Sequence, residues 1–271
     1  MILEERAESN LAIHETAIVA AGARIADTAE IGPFCVIAGD VEIGARTTVE
    51  SHARIGSRYG SVCVGADNLI QCGAVLGGPP QDYSFRDAET RLEIGDHNRI
   101  GEYASISLGT AKGGGVTRIG DHNFIMAYAH LGHDCQVQDH VVITNATQLA
   151  GHVVVEHHAL LSGLAGVTQF VRLGAFSFLV AGSFANKDIP PYTIAEGHWA
   201  TPRAVNRIAL KRAGLDASAR AAIAAAVRIV LDVRLTIPEV LARIDGECPA
   251  TPAIEHLTTF LKTSTRGVAR A

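Results

Sequence analysis

Of the twelve histidines in this chain, three sit where their spacing suggests chemistry. His130 and His133 stand in the run Ala-His-Leu-Gly-His-Asp-Cys, and His152 follows Gly151 in Leu-Ala-Gly-His. An imidazole of ordinary pKa is the natural base for taking a proton from an alcohol, and an adjacent carboxylate, here Asp134, would fix its tautomer. Gly151 offers an unobstructed backbone N–H suited to holding an oxyanion. The same side chains would equally serve as polar cover on a face between subunits, and residue types alone leave both readings open. His157 and His158 read as surface.

The element that must position these groups announces itself by a period of six. Aliphatic residues recur at Ile13, Val19, Ile25, Ile31, Ile37, Ile43, Val49 and Ile55, then at Val64, Ile70 and Leu76, then at Ile94, Ile100 and Ile106. The beat ends in an unbroken series from Ile119 through Leu131, Val137, Leu149 and Val155 to Leu179. Six fits neither a helix nor an alternating strand, so the unit is a short strand plus a corner, three units to a turn. His133 and His152 then fall on neighbouring coils at nearly the same azimuth and face one cleft. Gly often follows the beat residue, and aliphatic-Gly-x-x-Asn-x-Ile recurs at 64–70, 94–100 and 119–125. Gly, and Asn less easily, tolerate positive φ, so these residues are expected to make the sharp corners.

Two stretches break the beat. Loops over 77–93 and 107–118 are polar or Gly-rich, cannot be coil sides, and would leave the prism to line a binding surface. Past Leu179 the period stops, Pro190-Pro191 marks a boundary, and the pattern turns helical. Helices are expected over Arg203 to Ala213, from a cap at Asp216 to about Arg234, after the capping box Thr236-x-x-Glu239, and over Ala253 to Leu261. The chain thus divides into a solenoid, 1–190, and a helical domain, 191–271. Between Ala200 and Arg234 lie seven basic residues against two acidic, net +5 within a chain of net −5, a face that would attract an acidic partner or simply be solvated.

Composition agrees with one elongated soluble protein: 48% hydrophobic but only 5% aromatic, as a narrow aliphatic prism requires. The apolar stretch Ala159 to Ala185 keeps the six-residue beat and is interrupted by Ser, Gln and Gly, which argues against a membrane span. The start, Met-Ile-Leu-Glu-Glu-Arg, has neither a basic cluster nor an apolar signal core. Five cysteines without a CxxC pair suggest neither a disulfide framework nor a zinc knuckle. A cytoplasmic enzyme is expected, without a nucleic-acid partner or an integral membrane segment.

An ordered set of short motifs now carries a resemblance. Gln81-Asp82, Gly113-Gly114-Gly115, Ala129-His130-x-x-His133-Asp134-Cys135, Leu149-Ala150-Gly151-His152, Gln169-Phe170, Pro190-Pro191-Tyr192, Ala200-Thr201-Pro202, Val205-Asn206, Leu210-Lys211-Arg212 and Ser264-Thr265-Arg266-Gly267 span nearly the whole chain. Together they resemble the UDP-N-acetylglucosamine acyltransferases of lipid A synthesis. The resemblance implies an all-β solenoid, a left-handed parallel β-helix, with a C-terminal α-helical domain. It implies a homotrimer with active sites between subunits. It also implies transfer of a 3-hydroxyacyl group, delivered on the phosphopantetheine of acyl carrier protein, to the 3-hydroxyl of a nucleotide sugar, with no metal or other cofactor.

Carried over by residue, the resemblance implies His133 as general base oriented by Asp134, and Gly151 N–H as the oxyanion donor. Asp82 and His152 would hold the sugar, with Gln81, Asn206 and Arg212 also at the substrate, His130 and Gln169 along the donor site, and Ala181 at the end of the acyl groove. Ala181 replaces a glycine, which suggests a shorter acyl chain. The basic helices would dock the acidic carrier protein. Departures cluster at the acceptor: Ser84 stands in place of a lysine, Leu108 of an arginine, Thr168 and Trp199 of histidines, Ile208 of a glutamate and Ala213 of an arginine. Loss of cations facing a diphosphate is costly unless other residues compensate. A paralogue using another nucleotide sugar or an amino sugar is therefore an alternative, and a zinc protein with His130, His133 and His152 as ligands is a third reading.

Overall fold

The computed structural model describes residues 13–86 and 89–270. The reading of the first six residues falls outside that range. Each hexapeptide turns one aliphatic side chain inward: Ile37, Ile43, Ile55, Ile70, Ile100, Leu131, Ile143 and Leu149 are among those no more than 1% exposed. Each such burial is worth about 1.5–3 kcal/mol, and the stacked side chains form one continuous core. The strands assemble into three sheets of nine, eight and ten strands. Within the coil each strand pairs in parallel with the one a full turn away, as Val36–Ile37 pairs with Arg54–Ile55 and His130–Leu131 with Gln148–Leu149. The result is a parallel β-helix.

The corners differ from the sequence reading. Positive φ falls on the residue before the Asn, at Asp67, His97 and His122, with φ of 57°, 56° and 56°. The Gly of the same phrase is needed for another reason: a Cβ on Gly65 would stand 2.7 Å from Gly95 O, and one on Gly95 would stand 2.9 Å from Gly120 O. Close stacking of successive coils, rather than backbone handedness, excludes a side chain there. The Asn side chains form a buried ladder instead. Asn68 Oδ1 accepts from Asn98 N at 2.8 Å, Asn98 Oδ1 from Asn123 N at 2.8 Å, and Asn123 Oδ1 from Val141 N at 2.7 Å.

Both insertions partly rejoin the prism. Thr90–Ile94 and Val116–Ile119 are strands, paired with each other in parallel, so only the middle of each insertion leaves the coil. The coil also runs past Leu179: Ala185, in the strand Phe184–Ala185, takes the next inward position at 0% exposure, a residue too small to register as part of the aliphatic beat.

Beyond residue 190 the sheet continues further. Thr193–Gly197 pairs in parallel with Phe178–Leu179, and Ala200–Val205 returns antiparallel to it. This hairpin covers the last open edge, and Pro202 is tolerated on the outer strand because no further strand needs its missing N–H. The first helix, α1 (Arg207–Arg212), therefore begins four residues later than the pattern suggests, capped by Asn206. The others start where the sequence signals place them: α2 (Ala217–Val230) from Asp216, ending four residues short of the expected Arg234, α3 (Ile237–Glu247) behind the complete Thr236–Glu239 capping box, and α4 (Pro252–Lys262). They share a second apolar cluster that includes Phe176, Tyr192, Leu210, Val227 and Leu257. Arg172 ties the two parts together. It donates to Asp188 Oδ2 at 3.0 Å and to Phe260 O at 2.7 Å.

Candidate active site

His133 lies just past the strand His130–Leu131, at the corner where Asp134 (φ 61°), His152 (φ 63°) and Phe170 (φ 65°) stack on successive coils. Its Nδ1 is 2.8 Å from Asp134 Oδ2. The carboxylate is 4% exposed and firmly held: Thr110 N donates to Oδ1 at 2.8 Å, and Thr110 Oγ1 to Oδ2 at 2.6 Å. The Asp134 backbone is fixed in turn, its N–H donating to Thr117 Oγ1 at 2.8 Å. A carboxylate so placed holds the Nδ1–H tautomer and leaves the Nε2 lone pair to accept a proton. Gly151 borders that nitrogen. A side chain there would stand 2.5 Å from His133 Cε1 and 2.6 Å from Nε2, so glycine keeps the ring open. The Gly151 N–H donates to no group among the described residues.

His152 meets the His133 ring edge-on at 5.0 Å, stacks on Phe170 at 4.4 Å, and brings Nε2 to 3.6 Å from Asp134 Oδ2. Burial lowers its pKa, and Asp134 partly opposes that. His130 bonds Ser105 Oγ through Nδ1 at 2.8 Å; burial lowers its pKa, and the neighbouring His133 lowers it further. Cys135 is inward, its thiol pushed up to about 12 by burial, and is no nucleophile at neutral pH. Gln169 is exposed beside Phe170. The donor atoms of His133, Asp134 and His152 lie within 4.8 Å of one another. His130, which the zinc reading requires, is not in that group, and Asp134 already accepts from Thr110 and from His133.

The two insertions meet beside this cluster. Lys112 Nζ lies 2.5 Å from Asp82 Oδ2 and 2.6 Å from Ser84 Oγ, while Ser84 donates to Asp82 Oδ1 from its N at 2.8 Å and its Oγ at 2.9 Å. Lys112 and Ser84 hold the Asp82 carboxyl well below its usual range. Gln81 is exposed next to it. Leu108 is wholly buried and belongs to the core, so its substitution alters packing rather than the cleft. Sequence reading missed Lys112, Thr110, Thr117 and Ser105. Lys112 was findable as the single cation ahead of the three glycines, whereas the hydroxyls carried no local signal.

Three expected site residues are not gathered at this corner. Asn206 is 8% exposed, caps α1 by accepting from Ala209 N, and donates to Phe176 O at 2.9 Å at a different corner of the prism. Arg212 ends α1 and is exposed. Ala181 is exposed just ahead of Phe184–Ala185, a strand three pairings above His130–Leu131. Among the replaced positions, Trp199 and Ile208 are exposed at 50% and 64%, Ala213 closes α1, and Thr168 keeps a buried Oγ1 without a partner. On the helices, Arg207, Arg220 and Arg228 line a groove of about 390 Å³ floored by Ala217, Ala221 and Ala224. Among the described residues no helix is long and apolar enough to cross a membrane.

Stacked six-residue units, a His-Asp pair at one corner and an arginine-lined helical tail define a hexapeptide-repeat transferase. The bacterial transferase hexapeptide model matches residues 22–57 and 117–151, and the model of UDP N-acetylglucosamine O-acyltransferase, domain 2, matches 188–269. The acyl-[acyl-carrier-protein]--UDP-N-acetylglucosamine O-acyltransferase of Thiobacillus denitrificans is 43% identical over 95% of this chain and 99% of its own length. That of Paraburkholderia phymatum is 41% identical over the same shares. The Francisella novicida UDP-N-acetylglucosamine acyltransferase structure superimposes with a TM-score of 0.91 at 36% identity, covering 96% of this chain and 94% of that one. LpxA from Acinetobacter baumannii also gives 0.91, at 34% identity, covering 96% and 100%. The chain belongs to the UDP-N-acetylglucosamine O-acyltransferase family, and its coil is the left-handed β-helix of that family.

Proposed function

We propose that this protein transfers a 3-hydroxyacyl group from acyl carrier protein to the 3-hydroxyl of UDP-N-acetylglucosamine, the acyl transfer of lipid A synthesis. The observation that carries the reading is the Asp134–His133 pair, pinned by Thr110 and bordered by the open N–H of Gly151. His133 Nε2 takes the proton of the sugar hydroxyl as its oxygen attacks the thioester carbonyl. The oxyanion of the tetrahedral adduct is held by Gly151 N–H. Collapse breaks the carbon–sulfur bond, and the proton passes from His133 to the departing phosphopantetheine sulfur. General-base action contributes roughly 10²–10⁴-fold and an oxyanion donor about 10²–10³-fold, so positioning and these two groups suffice for an activated thioester. Neither a metal nor a further cofactor takes part.

Asp82, Gln81 and His152 bind the sugar, and His130 and Gln169 lie along the donor. The homotrimer belongs to the same reading. Asn206 and Arg212 sit at another corner and on α1, so they join the His133 cleft only if a second copy presents them there. The arginine groove on α1 and α2 receives the acidic carrier protein, Ala181 limits the acyl chain, and the reaction takes place in the cytoplasm. The test is turnover of purified protein with 3-hydroxyacyl carrier proteins of several lengths, offered UDP-N-acetylglucosamine and its 3-amino analogue in parallel. Acylation of the hydroxyl sugar is expected; exclusive use of the amine would move the enzyme to a different acceptor.

A further inference from the structure

The second insertion reaches two places at once. Its short turn Ala111–Gly113 is capped by Thr110, whose hydroxyl donates to Asp134 Oδ2 and accepts from Gly113 N at 3.1 Å. Two residues after Thr110, Lys112 clamps the first insertion through Asp82 and Ser84. The Lys112 side chain is nevertheless 58% exposed. An ammonium has three donors, two of which are directed here to Asp82 and Ser84, so one remains for a ligand. The charged groups acting on His152 are Asp134, His133, Lys112 and Asp82, and Lys112 is the only permanent cation among them. Within one copy of the chain, a diphosphate-bearing acceptor therefore enters a cleft that holds the Asp134 and Asp82 carboxylates, and Lys112 is the permanent cation that acts there.

We propose that Lys112 is the specificity residue for the diphosphate of the acceptor: Asp82 and Ser84 hold its ammonium in place, and its free donor takes a phosphate oxygen. The inference rests on the acyl-transfer reading and adds which residue selects a nucleotide sugar over an uncharged one. It also makes Ser84 a partner of the cation rather than a gap in the site. Because Asp82 and Ser84 set the position of the ammonium before substrate arrives, little side-chain entropy is lost on binding.

The test is steady-state kinetics of Lys112→Gln and Lys112→Arg, with direct binding of uridine diphosphate as the probe. Lys112→Gln is expected to raise KM for the nucleotide sugar roughly 10- to 100-fold, the range of a lost charge-assisted contact, and to leave KM for the acyl carrier protein unchanged. Lys112→Arg retains most of the affinity. Adding Ser84→Lys to Lys112→Gln is expected to recover nucleotide binding, since the new ammonium starts from the partner position. An unchanged nucleotide KM in Lys112→Gln overturns the proposal. So does a fall confined to kcat, which would mean that Lys112 only braces the Thr110 turn. If the wild-type protein transfers nothing to UDP-N-acetylglucosamine, the acyl-transfer reading fails instead. Binding of uridine diphosphate to wild type but not to Lys112→Gln would still uphold the lysine.

Discussion

Two corners of the prism are rich in histidine, and they are chemically unlike. At one, His97, His122, His140 and His158 stack as a column, ring centroids 4.7, 4.9 and 4.8 Å apart and nearly parallel. At the other, His133 and His152 meet edge-on. The column residues and His152 share the same left-handed backbone. The column is exposed, and its nearest carboxylate partner among the described residues is Asp67, 4.0 Å from His97. His133 is 7% exposed and rests on a carboxylate that Thr110 fixes twice. Residue type and backbone do not make an imidazole a base; a buried, oriented carboxylate and an open Nε2 do.

The sharpest way to break this contrast is alanine at each corner. His133→Ala is expected to lower turnover roughly 10²- to 10⁴-fold while the coil stays folded, and His140→Ala to leave turnover unchanged, read by steady-state assay and circular dichroism. An active His133→Ala would remove the base assignment. Gly151→Ala comes next. The backbone there accepts alanine, but the new methyl would sit 2.5 Å from His133 Cε1, so the ring must shift. A misplacement approaching 1 Å lowers turnover roughly 100-fold, with the melting temperature nearly unchanged. Wild-type rates in that variant would mean that the ring is not held as tightly as the packing requires.

The smallest effect joins the two corners. Burial lowers the pKa of His130, His152 and His157 below the ordinary 6.5, and partial desolvation with the neighbouring His140 and His157 does so for His158 at the exposed column. As pH falls through 6.5 the unfolded chain takes up these protons before the folded one does. Stability is therefore full above that value and declines below it, towards the depressed folded values. Thermal unfolding is expected to show a melting temperature several degrees lower at about pH 5.5 than at about pH 7.5. A flat profile would mean that these rings are solvated in the folded state.

Much of this was legible in the chain. The six-residue beat named the coil, the capping box Thr236–Glu239 named α3, and His-Asp beside Gly-His named side chains that the fold does bring together at one corner. Other features were hidden for physical reasons. Pro202 and its neighbours looked like the approach to a helix, yet they form the strand that covers the open sheet edge, because pairing with Thr193–Gly197 is a long-range gain that local propensity does not contain. Positive φ accounts for Gly56, at 84°, but not for Gly65 and Gly95, whose need comes from the coil stacked against them.

Local periodicity is repeated at every coil, so the sequence by itself determined the solenoid, its aliphatic core and the azimuth shared by His133 and His152. Only the tertiary structure decided that Thr110 holds Asp134, that Lys112 reaches back to Asp82 and Ser84 in the other insertion, and that Asn206 and Arg212 stand apart from the His133 corner. Those contacts depend on where two insertions and a helical tail come to rest against the prism, and such distances are set by packing between segments that share no period.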